Sequence, residues 1–311
     1  MIPLIGELCA TLAALCYGFS SVAVTKNARA GGGRGGAVLL SIMLTAAFSG
    51  GLWLFIGPAL PPAGGGLWAG IAVFALAGIL ATVLGRLFYF RSIELTSAIE
   101  VGLTRRLIPV FAAGLAVLFL GEVITAGILL AFLFVFSGVA ISFIANPNHA
   151  AASSPHTPRT PADQLKGRAL SVASSASYGG AYVTRKIAMT WLPDPLAGAF
   201  IGAVTGMVWY AVAAPFSAGY RDSIRSLFRK PGRWHVLAAA AISLGQILQF
   251  VALTFTSVTA VAIIGSIEMF FAAWLAAFVF KTEPRPGAAF ILASLLAFAG
   301  VALLALSRMG P

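Results

Sequence analysis

A few ionisable side chains lie within long apolar stretches of this 311-residue sequence. Arg105 and Arg106 follow about ten residues of one such stretch, roughly 15 Å of helix, and Glu268 has a similar place in a later one. Arginine binds carboxylates and phosphates through charge-assisted hydrogen bonds. We therefore expect Arg105 and Glu268 to bind substrate, or else to form a structural ion pair. Arg106 is rotated by about 100° from Arg105 on a helix, so we expect it to be a coupling or structural charge.

Two pairs of polar residues have the spacing of a single helical face. Arg86 and Tyr89 are three residues apart, and so are Gln246 and Gln249. Polar stripes in apolar helices either line a substrate site or hydrogen-bond to neighbouring helices. We expect all four residues to contact substrate, with interhelical bonding as the alternative.

Three tyrosines and one further carboxylate complete the candidate site. Tyr17, Tyr178 and Tyr182 are predicted to form aromatic walls around the substrate, or to serve packing alone. Glu100 lies about one turn into its apolar stretch, where a helix N-terminus favours a carboxylate. It is therefore either a coupling group or a structural charge.

Motifs for metal binding or covalent catalysis are not found in the sequence. His149, His156 and His235 lie in or beside predicted loops, and Cys9 and Cys16 lie two helical turns apart, too far for a disulfide. Phosphate loops and nucleophile elbows are not found either. We expect no catalytic residue, no metal site, no cofactor and no ATP-driven pump.

The composition indicates which elements position these residues. The chain is 59% apolar and only 9% charged, with a mean hydropathy of +0.96. Soluble domains are about half apolar and about a quarter charged, so lipid must cover this protein's surface. The net charge of +11 fits basic loops of a membrane protein, and we expect no nucleic-acid binding.

The predicted fold is an all-α membrane protein with ten transmembrane helices. A spanning helix needs about 20 mainly apolar residues. Ten segments qualify, namely Leu4–Val24, Ala37–Ile56, Leu67–Phe88, Leu95–Leu120, Ile124–Ala145, Leu170–Met189, Leu196–Pro215, Trp234–Phe255, Val258–Phe280 and Gly287–Leu306. A polar stretch rich in Pro, Ser and Thr divides them, so we expect a linker over residues 146–165 between two units, 1–145 and 166–311.

The two units share a weak internal repeat. Residues 160 positions apart match in order, namely Leu84-Gly85 with Leu244-Gly245, Thr96-Ser97 with Thr256-Ser257, and Phe111-Ala112-Ala113 with Phe271-Ala272-Ala273. Slightly longer offsets pair Tyr17-Gly18 with Tyr178-Gly179 and Gly138-Val139-Ala140 with Gly300-Val301-Ala302. Five spans per unit would insert the second unit upside down. Inverted repeats are typical of transporters that bind substrate near the membrane midplane.

These features together resemble the drug/metabolite transporter superfamily, in its ten-helix EamA form. Each unit has a Tyr-Gly pair in its first span, Tyr17-Gly18 and Tyr178-Gly179. In the fourth span of the first unit, the family pattern begins with Ile108-Pro109-Val110, continues as an apolar helix and closes with Leu120-Gly121-Glu122. Its counterpart runs from Ile267-Glu268-Met269 to Lys281-Thr282-Glu283, and it departs from the family pattern at Met269 and at Lys281-Thr282.

The resemblance implies secondary transport of a small metabolite, which we expect to be export of an amino acid or a related zwitterionic or anionic compound. The site would lie between the two repeats in the inner membrane and would work by alternating access. Exchange of phosphorylated or nucleotide-linked metabolites is the alternative, followed by a membrane-embedded enzyme or a receptor. Lipid and substrate are the expected partners, proton or ion coupling is possible, and the protein is a monomer or a homodimer.

The basic residues predict the orientation. With ten spans, only Arg185, Lys186 and Arg308 fall on the side that holds the termini, and the other basic residues outside the fourth span fall on the opposite side. The positive-inside rule then places the linker in the cytoplasm and the termini outside. The family resemblance favours the opposite orientation.

Overall fold

The computed structural model describes residues 4–29, 37–58, 61–96, 98–145, 160–227 and 232–307, and within these ranges the chain is helical and contains no strand. Ten long helices correspond to the ten predicted spans. They are α1 Ile5–Arg29, α2 Ala37–Ile56, α3 Gly65–Leu95, α4 98–120, α5 Ala126–Ala145, α6 Pro161–Ala188, α7 Pro195–Ala213, α8 Arg233–Phe255, α9 Val258–Val279 and α10 Ala288–Ser307.

Eight of the described helices are long and apolar enough to cross a membrane. The exceptions are α5, whose apolar part Ala126–Ser142 is shorter, and α6. Helix α6 carries charged residues near both ends, among them Lys166, Arg168, Arg185 and Lys186, and these lower its mean hydropathy. The protein is thus an all-helical, multi-pass membrane protein, although the count of apolar spans is lower than the predicted ten.

The predicted linker is too long at its C-terminal end. Helix α6 begins at Pro161, and the Thr160 hydroxyl caps it by accepting a hydrogen bond from the Asp163 N–H at 3.1 Å. A hydroxyl at the N-cap followed by proline stabilises a helix start, and this local signal overrides the polar composition. Residues 146–159 of the predicted linker lie outside the described residues.

A short helix between α7 and α8 was not predicted. It spans Ala218–Leu227 and is strongly amphipathic, with Tyr220 and Ile224 packed against the apolar cluster that contains Leu39 and Ile42. Its length is far below that of a spanning helix, so a search for apolar stretches overlooks it.

Helices α4 and α9 are both interrupted, and at corresponding places. In α4 the residues Arg105–Leu107 form a single 3₁₀ turn, and in α9 the α-helix stops at Gly265 and resumes at Glu268. Pro109 explains the first interruption, because it has no N–H to donate to the carbonyl of Arg105. In α9 the N–H of Ser266 bonds to Ile263 O at 3.0 Å, which tightens the last turn before the break.

Glycines bring the two halves into equivalent close contacts. A methyl group added to Gly18 of α1 would lie 2.9 Å from the Ala272 nitrogen of α9. A methyl group added to Gly179 of α6 would lie 2.8 Å from the Ala112 nitrogen of α4. Ala112 and Ala272 are 160 residues apart, so α1 packs on α9 in the same way as α6 packs on α4. Small residues allow this close approach of helix backbones in membranes.

The first segment of α9 forms the centre of the packed core. Its residues from Val258 to Ile264 are all buried, and they join an apolar cluster with Val135 of α5, Val183 of α6 and Leu253 of α8. This burial fixes the segment rigidly next to the break in α9.

Candidate functional site

The two interrupted helices meet at their breaks. The Arg106 guanidinium donates a hydrogen bond from Nη1 to the Ser266 carbonyl at 3.4 Å. The break in α9 makes this carbonyl available, because the Phe270 N–H bonds to Ile267 O instead. Arg106 and Ser266 are 160 residues apart and correspond to each other in the repeat.

Arg105 lies between two aromatic rings. Its Cζ is 4.9 Å from the centre of the Tyr89 ring of α3 and 5.2 Å from that of the Tyr178 ring of α6. A guanidinium over a tyrosine face is stabilised by the negative potential of the ring. Arg105, Tyr89 and Tyr178 were all predicted as substrate contacts, and the structure brings them together.

The structural ion pair considered for Arg105 and Glu268 is not formed. The structure describes the side chains of Arg105, Arg106 and Glu268. No salt bridge within 4.0 Å joins either arginine to the carboxylate. Glu268 still attracts both guanidinium groups electrostatically over a longer distance. The three side chains are half-buried, so the breaks leave room around them.

A second arginine network lies further along α6. Arg185 is 5% exposed, and its Nη1 donates to Gln249 Oε1 of α8 at 2.6 Å. Gln249 Nε2 in turn donates to the Tyr182 hydroxyl at 2.7 Å. The Arg185 guanidinium also lies 4.5 Å from the centre of the Phe250 ring.

Arg185 was missing from the predicted site residues. The orientation predicted from basic residues placed Arg185 and Lys186 at the membrane side that holds the termini, as loop residues. Both residues lie inside α6. The available signal was its position, since it falls within the predicted span Leu170–Met189, and a charge inside a span usually has a functional role.

The remaining predicted tyrosine joins the two arginine networks. Tyr17 of α1 packs against Gly245 of α8, and Tyr178 of α6 packs in the equivalent way against Gly85 of α3. Tyr17 also lies near Tyr182, Arg185 and Glu268. Six helices, α1, α3, α4, α6, α8 and α9, thus contribute to one central polar cluster, which consists of Tyr17, Tyr89, Arg105, Arg106, Tyr178, Tyr182, Arg185, Gln249 and Glu268.

Three predicted residues lie outside the central polar cluster. Arg86 interacts with the Tyr210 hydroxyl of α7. It is about 60° around the helix from Tyr89, which is enough to face a different neighbour. Glu100 forms a salt bridge with the exposed Arg168 at the linker-side end of α6. Gln246 is half-buried, and the described contacts do not join it to the cluster.

Polar contacts hold the end of the bundle where α8 turns into α9. The Lys186 ammonium donates to the carbonyls of Leu253 at 2.5 Å and Thr256 at 3.2 Å, at the C-terminal end of α8. The Thr256 hydroxyl donates to Glu7 Oε1 of α1 at 2.7 Å. These bonds tie α1, α6 and α8 together on the side that holds the termini.

Glu122 holds the start of α9 from the end of α4. Its carboxylate accepts hydrogen bonds from the Val258 N–H at 2.6 Å, the Thr259 N–H at 3.1 Å and the Thr259 hydroxyl at 2.8 Å. A carboxylate at a helix N-terminus satisfies unpaired N–H groups and favours the helix dipole. Glu122 belongs to the Gly-Glu motif that closes the fourth span, but the sequence alone did not indicate this role.

Charged residues on two broken, closely packed helices inside a multi-pass bundle are the arrangement found in membrane transporters. A solved crystal structure, titled only as that of a protein, has a similar fold over 98% of this chain and 97% of that chain, with a TM-score of 0.70 and 15% sequence identity. At that identity the similarity shows a shared fold only. No curated protein matches the sequence.

The first part of the chain is similar to a known protein family. Residues 4–144 match the EamA-like transporter family. This match supports membership of the drug/metabolite transporter superfamily and confirms the resemblance predicted from the Tyr-Gly and Gly-Glu motifs.

Proposed function

We propose that the protein is a secondary active transporter that moves a small anionic or zwitterionic metabolite across the inner membrane by alternating access. The substrate would bind at the central polar cluster. The observation that carries this proposal is the meeting of the two interrupted helices, α4 and α9, at the Arg106–Ser266 hydrogen bond. Within a membrane, non-helical backbone is tolerated where protein buries it or where it lines a water-filled cavity, and the half-buried charges of Arg105 and Glu268 beside these breaks favour a cavity.

The equivalent contacts of the two halves support an inverted repeat. The α1–α9 and α6–α4 contacts correspond through Gly18 and Gly179. Tyr17 packs against Gly245 in the same way as Tyr178 packs against Gly85. Because each half has five helices, the halves would have opposite orientations in the membrane, and exchanging their conformations would move the opening from one side to the other.

Export of an amino acid or a related compound is the first candidate activity, and the direction rests on the family alone. Exchange of phosphorylated or nucleotide-linked metabolites is the second. Three arginines in the central polar cluster favour this alternative, since guanidinium groups match phosphate geometry. A membrane-embedded enzyme is disfavoured because the EamA-like family is a transporter family.

Counterflow in proteoliposomes tests the proposal. Vesicles preloaded with a metabolite mixture and lacking ATP should accumulate one labelled metabolite from outside. Arg105→Ala and Glu268→Ala should each abolish this flux, while Arg91→Ala, whose side chain is 57% exposed, should retain it.

The stability of the same variants separates function from scaffolding. No salt bridge joins Arg105 to Glu268, so neither single substitution should lower thermal stability much. The double variant Arg105→Gln with Glu268→Gln should be folded and inactive. Flux that requires ATP, or a double variant that transports normally, would contradict the proposal.

A further inference from the structure

Positive charge is in excess at the central polar cluster. Arg105, Arg106 and Arg185 share the cluster with a single carboxylate, Glu268, and no salt bridge within 4.0 Å joins any of these described side chains. Two positive charges are therefore uncompensated in the middle of a membrane protein. Charges in such positions are costly, and they are kept where a ligand or an ion pathway uses them.

Arg185 has the least compensated environment of the three. It is 5% exposed, its Nε atom is buried without a hydrogen-bond partner, and its only described hydrogen bond goes to the neutral amide of Gln249. The rings of Tyr182 and Phe250 stabilise the cation in part. An anion that reached Arg185 would satisfy both its charge and its free N–H group.

Arg105 of α4 and Arg185 of α6 each lie near a tyrosine of α6. Arg105 lies over Tyr178, and Arg185 lies by Tyr182, one helical turn further along. The Tyr182 hydroxyl accepts a hydrogen bond from Gln249 and lies near both guanidinium groups. The space beside these two tyrosines thus has a cation at each end.

We propose that the substrate carries two negative charges, one anionic group bound by Arg185 and the other by Arg105 and Arg106. This inference rests on the proposed function and specifies its substrate class as a dianion, either a dicarboxylate or a phosphate monoester. A zwitterionic amino acid has no net charge and would not neutralise the excess positive charge of the central polar cluster. Arg185 is then a specificity-determining residue, and Gln249 and Tyr182 position it.

Binding to the purified protein tests the charge of the substrate. The probes are succinate, glycerol 3-phosphate and alanine, each measured by the rise in thermal stability with concentration. At least one dianion should stabilise the protein at concentrations where alanine does not. The response to succinate or to glycerol 3-phosphate distinguishes a carboxylate site from a phosphate site. Equal stabilisation by alanine and both dianions, or by none of the probes, would overturn the inference.

Arg185→Gln distinguishes a binding role from a structural one. Removing an uncompensated charge should raise the stability of the ligand-free protein, while affinity for the dianion should fall by about tenfold or more, as expected for a lost charged hydrogen bond. Arg185→Lys keeps the charge and should restore part of the affinity. Arg225→Gln, at a side chain that is 76% exposed, is the control and should change neither quantity. Lower stability with unchanged affinity in Arg185→Gln would show that the arginine is structural.

Flux measurements keep this inference separate from the proposed function. Vesicles that exchange alanine but neither dianion would refute the dianion site and leave secondary transport intact. Binding of a dianion without any flux would support the dianion site and refute secondary transport.

Discussion

The contact between Glu122 and the start of α9 can be tested by its effect on stability. Glu122→Ala removes three hydrogen bonds to Val258 and Thr259 together with a negative charge at a helix N-terminus. Loss of a cap costs about 0.5–2 kcal/mol and loss of the favourable dipole interaction about 0.3–1 kcal/mol. Ser257 continues to cap the same helix by accepting from the Ala260 N–H, so we expect a total loss of about 2 kcal/mol.

Glu122→Gln should lie between the wild type and Glu122→Ala. The amide keeps one acceptor oxygen but loses the charge, and about half of the effect, near 1 kcal/mol, should remain. Equilibrium unfolding in mixed detergent micelles measures these differences. Glu94→Ala is the matched control, because that side chain is 60% exposed and its pair with Arg91 should contribute less than about 1 kcal/mol.

The order of stabilities decides the outcome. If Glu122→Ala and Glu94→Ala lose the same free energy of unfolding, the three hydrogen bonds do not hold α9 and the assignment is wrong. If Glu122→Gln is as damaging as Glu122→Ala, then the charge dominates and the individual hydrogen bonds contribute little.

Three further outcomes are expected from other positions. Lys281 has a left-handed backbone with φ of 51°, at the position that Gly121 occupies in the first repeat with φ of 64°. Lys281→Gly should therefore raise the free energy of unfolding by about 1 kcal/mol, and Gly121→Ala should lower it. No gain for Lys281→Gly would show that the Lys281 backbone is not strained. Gly179→Ala should destabilise by about 1–3 kcal/mol because the added methyl group meets the backbone of α4, whereas Gly114→Ala, with no atom within 4 Å, should be neutral or stabilising; equal effects would contradict this packing. A cysteine introduced at Ser154 should resist an impermeant thiol reagent on intact cells, since the charge bias places the linker in the cytoplasm, and rapid labelling would reverse the orientation.

Apolar composition and turn residues were enough to locate the membrane helices. The predicted spans Ala37–Ile56 and Trp234–Phe255 agree with α2 and α8 almost residue for residue. Lipid requires about 20 apolar residues per crossing whatever the tertiary fold, so this signal is local and strong. Errors occurred where short-range polar signals compete with it, as at Thr160 and Pro161 before α6 and in the amphipathic helix Ala218–Leu227.

The central polar cluster was only partly predictable, for a physical reason. Ionisable groups inside apolar stretches identified Arg105, Arg106 and Glu268, because such groups are costly in lipid and need a purpose. Whether two of them touch depends on helix rotation and packing, which sequence spacing does not determine. Only the tertiary structure showed that Arg105 turns to Tyr89 and Tyr178 and not to Glu268.

The sequence by itself determined the membrane class and the position of most helices, and it indicated a resemblance to a family, since each depends on local composition or on motifs along the chain. The tertiary structure decided which polar groups share a space. It moved Arg86 to a contact with Tyr210, and it made Arg185 a buried member of the site through Gln249. Those contacts join residues tens of positions apart, and they form only when glycines such as Gly179 let the helices approach closely enough.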